Sequence, residues 1–337
     1  MYDSNMKSNI KTKIYQLFVL GLEGEELSGN NNLVAALQQG LGGVIFFSQN
    51  IKTVPQFKKL INDINMESVI PPFLSIDQEG GRVERTENIH NRKKYLSAKF
   101  AAQKSKIEGE AFLKEQTEQI ARELKDFGIN LNFAPCLDVN TNPNNPIIGE
   151  RAFSSDVDEV IKFGKIAIDT YLENGIMPCA KHFPGHGDAN TDSHVSLPKI
   201  DLSLEEMEKY HIKPFKECPV PMIMVAHVHA TAFDEEKIPS SLSENIVKKY
   251  LIEKLNYQGL IITDDMVMGG VNKIDATKAC AKAIKVGVNL LLYRNSFDET
   301  IEIIENLAKL AQTDEVLREN IEIAYDKIIK AKQLFIS

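Results

Sequence analysis

The sequence predicts a (β/α)8 barrel, and three observations carry that expectation. Short apolar runs recur eight times along the 337 residues. Each is followed by a polar or glycine-rich break and then by a helical pattern. The runs are apolar throughout rather than alternating, which suits parallel strands buried on both faces. They fall at 17–21, 43–47, 73–76, 129–135, 176–180, 222–226, 259–263 and 288–293. Eight alternations without a low-complexity linker close more naturally into a barrel than into the other candidate, an open doubly wound sheet. A single domain over 1–337 is therefore expected.

The intervals justify the helices in turn. Leu113, Ile120, Leu124 and Phe127 share one face, and Gly128 closes that segment at the C′ position. Ser155 with Asp158 opens the next as a variant capping box; Val160, Phe163 and Ala167 form its stripe, and Gly175 ends it. Residues 313–335 read as a last helix packed on the outside of the barrel.

Composition narrows the function. A hydrophobic fraction of 43% with 26% charged residues is ordinary for a globular enzyme. A net charge of −8 argues against nucleic-acid and polybasic membrane roles. No apolar run approaches the roughly 18 residues of a membrane span. The stretch "IYQLFVLGL" runs on into "EGEELSGN" with no small-residue cleavage site, so it reads as mature protein. Four scattered cysteines fit small core residues in a reducing cytoplasm, the expected location.

A barrel places its chemistry on the loops at the C-terminal ends of its strands. Just past the proposed strands stand Asn50, Asp77 with Glu79, Asp138, Lys181 with His182, His227 with His229, Asp264 with Asp265, and Arg294. Any one of them could be an ordinary exposed strand end; seven of eight ends carrying such groups is harder to dismiss. In "SIDQEGGRVER" Asp77 and Arg85 can both face a ligand, and an aspartate there suits two neighbouring sugar hydroxyls. The plain alternative is a solvated turn. Arg151 ends the turn-rich loop "NPNNPIIGERAFSS", where a surface arginine is the ordinary reading. In "ITDDMVMGG" adjacent side chains point to opposite faces, so one carboxylate should enter the site. Asp264 is the better placed, and Asp265 reads as a helix N-cap.

The densest stretch is "KHFPGHGDANTDSHVSLP", residues 181–198. A zinc reading would use His182, His186 and His194, with Asp188 or Asp192, but Pro184 and Gly185 forbid the helical H-E-x-x-H spacing. A second reading is a proton relay. Asp192 and His194 are one residue apart and fall on one side of an extended loop. The carboxylate can hold one imidazole nitrogen and leave the other to exchange protons. With Asp264 as nucleophile across the barrel, this makes the couple that two-step glycoside cleavage requires. The bland reading is a decorated surface loop.

These segments resemble the family 3 glycoside hydrolases, and within them the bacterial β-N-acetylglucosaminidase (NagZ-type) branch. The likeness runs from about residue 14 to about residue 295, through "GGVIFFSQN", "IDQEGGRVER", "LNFAPCLDVN", "IIGERAFSS", "MVAHV" and "GLIITDDMVMGGV". Its most specific part is K-H-F-P-G-H-G, four residues, D-S-H. The resemblance implies Asp264 as nucleophile and His194 as acid/base with Asp192 as its partner. Asp77, Arg85, Arg151, Lys181 and His182 would grip a terminal N-acetylglucosamine. It further implies retention through a glycosyl-enzyme and no metal or organic cofactor. The implied substrates are muropeptide fragments of cell-wall recycling, handled by a monomer in the cytoplasm. Two departures stand out. The segment "TENIHNRKKYLSAKF" leaves the family's usual continuation, and Asn289 stands where an aspartate is common; the latter position is expected to support the barrel. Alternatives are a phosphorylase on the same site, a metal-dependent hydrolase built on His182, His186, His227 and His229, and a non-catalytic sugar-binding barrel.

Overall fold

A computed structural model describes residues 9–89, 94–189, 197–268, 271 and 274–336. Eight strands close into a barrel: β1 (Phe18–Leu20), β2 (Gly43–Phe46), β3 (Phe73–Ile76), β4 (Leu131–Asn132), β5 (Met177–Phe183), β6 (Met222–Val225), β7 (Leu260–Asp265) and β8 (Leu290–Tyr293). Each pairs in parallel with its neighbours in sequence, and β8 returns to β1. All eight apolar runs are strands. The barrel reading holds, and the open sheet does not.

The boundaries differ where the barrel mouth is polar. β5 runs to Phe183 instead of stopping at 180, so Lys181 and His182 lie within the strand. β7 likewise includes Asp264 and Asp265. At the mouth, strand side chains turn toward the pocket rather than the core, so polarity there does not mark the end of pairing. β4 is shorter than 129–135, and Pro135, three residues past its end, brings no N–H with which to extend the ladder. Pairing continues irregularly beyond it, with Phe133 N–H donating to Ile76 O at 2.9 Å and Leu137 N–H to Lys181 O at 2.8 Å.

The helices pack outside. Ala111–Phe127 buries Leu113, Ile120, Leu124 and Phe127, and Gly128 ends it in a left-handed conformation at φ 93°. Val157–Glu173 is capped by Asp156 rather than Ser155; its carboxylate accepts the N–H groups of Asp158 and Glu159. The last helix is Glu315–Phe335, with Asp314 as N-cap. It sends Lys332, wholly buried, under the barrel, where Nζ donates to Gln16 Oε1 at 2.9 Å. Burial holds that amine well below the usual lysine range. Asn289 ties β8 to β7 by accepting the Ile261 N–H at 2.8 Å, the supporting role expected of it. All four cysteines are free and buried. Among the described residues, no helix is long and apolar enough to cross a membrane.

Candidate active site

A cavity of about 420 Å³ opens at the C-terminal ends of the strands. Its lining includes Asp77, Arg85, Arg151, Lys181, His182 and Asp264, brought together from β5, β7 and the loops after β3 and β4. Asp192 and His194 lie outside the described residues.

One wall is a chain of saturated ion pairs. Lys181, 1% exposed, reaches Asp77 Oδ1 at 2.7 Å and Glu79 Oε1 at 2.5 Å. Burial pulls its amine down, but Asp77 and Glu79 outweigh that, so its pKa is raised. Arg151 lays its fork on Glu79, with Nε to Oε2 at 2.9 Å and Nη2 to Oε1 at 2.8 Å. Burial pushes the Glu79 carboxyl up, yet Arg151 and Lys181 together hold it well below the usual carboxylate range. Arg85 stands 3.9 Å from Asp77 Oδ2 and over the Phe47 ring, and its buried Nε has no partner among the described residues. The expected role of Arg151 is thereby narrowed. Its bidentate edge already belongs to Glu79, and Nη1 donates to the Ile147 carbonyl at 3.3 Å.

His182 joins this wall from behind. Its Nδ1 lies 2.7 Å from Asp138 Oδ2, and its Nε2 lies 3.4 Å from Arg151 Nη2. Asp138 is fully buried and also accepts the Cys136 thiol at 3.2 Å and the His186 N–H at 2.6 Å. Burial pushes its carboxyl up, but His182 and then His186 hold it well below the ordinary range.

The facing wall carries Asp264. Its Oδ1 accepts the Asp265 N–H at 2.8 Å, and among the described residues Oδ2 has no hydrogen-bond partner. Its carbonyl lies 3.1 Å from His227 Nε2, and Ser241 Oγ sits 2.7 Å from His227 Nδ1. The hydroxyl donates to Nδ1 while Nε2–H donates to the carbonyl, so His227 holds the backbone of Asp264. Burial pushes the Asp264 carboxyl up, but His182 and His227 when protonated, then the Asp265 N–H and the Lys181 cation, outweigh it and leave the pKa lowered. The group stays ionised at neutral pH.

Asp265 is not the expected helix cap: its Oδ1 accepts the Val267 N–H in a turn, and the next helix among the described residues starts at Ala276, capped by Asp275. Asp265 lines the cavity beside Asp264 and pairs with Arg294 at 2.7 Å, so both adjacent carboxylates reach the mouth. The strand ends at this point, and alternation no longer separates them. Asn50 is a structural residue, giving its amide to the Leu22 and Gly24 carbonyls. The histidines of the metal hypothesis do not converge. His227 is tied to Ser241, and His229 bonds Asp234 O at 2.9 Å. Donor atoms of Cys136, Asp138 and His182 do lie within 4.8 Å of one another. They already satisfy each other, and burial holds the Cys136 thiol protonated. His186, 2% exposed, lines the cavity with both ring nitrogens unpartnered among the described residues, and burial first, then His182, pushes it down to about 4.

Glu79 and Asp138 carry this geometry without an assigned role in the sequence reading. Their signal was position at strand ends, which cannot say which neighbour each will pair with.

A barrel with these groups at its mouth has counterparts among known proteins. The model of the glycosyl hydrolase family 3 N-terminal domain matches residues 9–331. The chain belongs to glycosyl hydrolase family 3. It is a glycoside hydrolase of the kind whose curated relatives are named beta-hexosaminidases. One, from Haemophilus influenzae (strain ATCC 51907 / DSM 11121 / KW20 / Rd), is 34% identical over 298 residues, spanning 86% of this chain and 82% of the relative. Beta-hexosaminidase A of Pseudoalteromonas piscicida is 32% identical over 321 residues; these cover 87% of this chain but 53% of that longer protein. Among solved structures, the family 3 beta-N-acetylglucosaminidase of Paenibacillus sp. str. FPU-7 superposes with TM-score 0.88 at 31% identity, covering 96% of this chain and 62% of that one.

Proposed function

We propose that this chain is a retaining exo-β-N-acetylglucosaminidase that removes terminal N-acetylglucosamine from muropeptide fragments in the cytoplasm. The observation that carries the reading is Asp264: an ionised carboxylate with one oxygen unpartnered among the described residues, facing a wall of fixed donors and acceptors. In the first step Asp264 Oδ2 bonds to the anomeric carbon as the glycosidic C–O bond breaks. The departing oxygen takes a proton from His194, which Asp192 orients. In the second step His194 takes a proton from water, whose oxygen displaces Asp264 from C1. The two displacements restore the starting anomeric configuration.

Asp77, Lys181, His182, Arg151 and Arg85 hold the sugar ring. Neutral hydroxyls suit a wall whose charges are already paired, because a second full charge would have to break a buried pair.

Digestion of defined muropeptides tests the reading. It predicts free N-acetylglucosamine released with its β-configuration. The α-anomer as first product, or no release from any β-N-acetylglucosaminide, overturns it. The same digestion in phosphate buffer separates the phosphorylase alternative, which yields the sugar 1-phosphate.

A further inference from the structure

Asp138 touches no part of the cavity, yet it determines what His182 shows there. An ionised carboxylate only accepts hydrogen bonds. The proton in the 2.7 Å contact with Asp138 Oδ2 therefore sits on His182 Nδ1. The carboxylate cannot turn away, because its other bonds fix it. Oδ2 also accepts the Cys136 thiol at 3.2 Å and the His182 N–H at 3.2 Å, while Oδ1 accepts the His186 N–H at 2.6 Å.

The opposite edge of the ring agrees. His182 Nε2 faces Arg151 Nη2 at 3.4 Å. A guanidinium only donates, so its charge favours a lone pair on Nε2 over an N–H, while 3.4 Å is too long a contact to hold that one lone pair against a ligand hydroxyl. Arg151 cannot swing aside, since its fork is clamped on Glu79. The Asp138 contact fixes the proton on Nδ1, and the Arg151 cation disfavours a second one on Nε2.

We propose that Asp138 is a positioning residue that locks His182 in the Nδ1–H tautomer, so that Nε2 meets the ligand as an acceptor and selects a free hydroxyl. Beside it Lys181 and Arg151 can only donate. A hydroxyl satisfies both sides at once, accepting from the cations and giving its proton to Nε2. An ether oxygen or a fluorine at the same position accepts but has no proton to give, and it meets the Nε2 lone pair head on. The lock therefore excludes sugars alkylated or further glycosylated at that hydroxyl. This inference rests on the sugar-site reading only for the identity of the ligand.

The test is a two-bond ¹H–¹⁵N correlation on histidine-labelled protein, with His182 assigned by loss of its signals in His182→Gln. In the wild-type protein near neutral pH the His182 pattern should show a protonated Nδ1 and an unprotonated Nε2. A protonated Nε2 overturns the proposal, whatever any variant does. In Asp138→Asn, which keeps the shape and removes the charge, the Nε2 signal should move toward the protonated value. KM should rise by about 10- to 100-fold, with kcat changing less. An unchanged tautomer and unchanged KM in a folded variant also overturn it. Should the variant not fold, the wild-type spectrum decides alone. N-acetylglucosamine added to wild type should shift the Nε2 signal, and deoxyfluoro analogues substituted in turn at each hydroxyl should include one that does not. If the sugar shifts nothing while the tautomer is as expected, the sugar-site reading fails and the lock stands. If the sugar and all its fluoro analogues shift Nε2 alike, the hydroxyl selection fails.

Discussion

The two walls of the cavity are built on opposite principles. On the β3–β5 side, Asp77, Glu79, Lys181, Arg151, His182 and Asp138 form one connected run of contacts in which nearly every strong donor and acceptor is taken. On the β7 side, Asp264 is held through its backbone carbonyl and one carboxylate oxygen, and its other oxygen faces the space between. Saturation makes the first wall rigid and unreactive: each charge is paired, so it can shape a ligand without attacking it. Among the described residues, the second wall keeps one unsatisfied nucleophilic atom on a firmly held strand. Positioning and reaction are thus assigned to different strands, and a rigid template costs no reorganisation when the reaction occurs.

The sharpest way to break that division is at Asp264. Asp264→Ala should lower turnover by about 10³-fold or more while leaving N-acetylglucosamine binding within a few-fold. Activity and affinity measured on the same preparation check it; a parallel loss of both would mean that Asp264 belongs to the gripping wall. Glu79→Gln attacks the other side. It leaves Arg151 and Lys181 with one carboxylate between them, and breaking such a buried pair costs about 3–5 kcal/mol of stability. Chemical denaturation should show that loss, and KM should rise because Arg151 loses its clamp. A variant as stable as wild type would show that the pairing is dispensable.

A smaller effect comes from His186, which lines the cavity between the two regions and bonds the first through its backbone N–H but neither through its ring, among the described residues. Burial lowers its pKa from the ordinary 6.5 to about 4, so between these values the unfolded chain binds the proton more readily. Its contribution to stability is present above pH 6.5 and is lost as the pH falls toward 4, on the order of 3 kcal/mol over the window. His186→Leu should flatten stability across that range relative to wild type. An identical slope in both proteins would mean that the ring is solvated.

Much of this was legible in the sequence, for identifiable reasons. Doubly buried strands must be apolar throughout, so all eight could be read, and the polar groups just beyond them marked the mouth. Asp77, Arg85, Arg151, Lys181, His182 and Asp264 all line one cavity. What could not be read is pairing between strands. Glu79 and Asp138 are ordinary strand-end acids until three strands converge and supply their cations and rings. The same gap explains Asp265, whose partner Arg294 lies on the loop after β8, 29 residues away. Cap positions slipped by one residue, as at Asp156, because Ser155 and Asp156 are both good caps and only the backbone decides between them.

The account turns on a covalent bond to Asp264. An activated fluorinated N-acetylglucosaminyl donor, chosen so that its glycosyl-enzyme hydrolyses slowly, can be incubated with the protein and the digest mapped by mass spectrometry. The account predicts one sugar per chain, on the peptide carrying Asp264, with loss of label in Asp264→Ala. Label on Asp77 or Asp265, or turnover of the donor with no covalent adduct at any time, would contradict it.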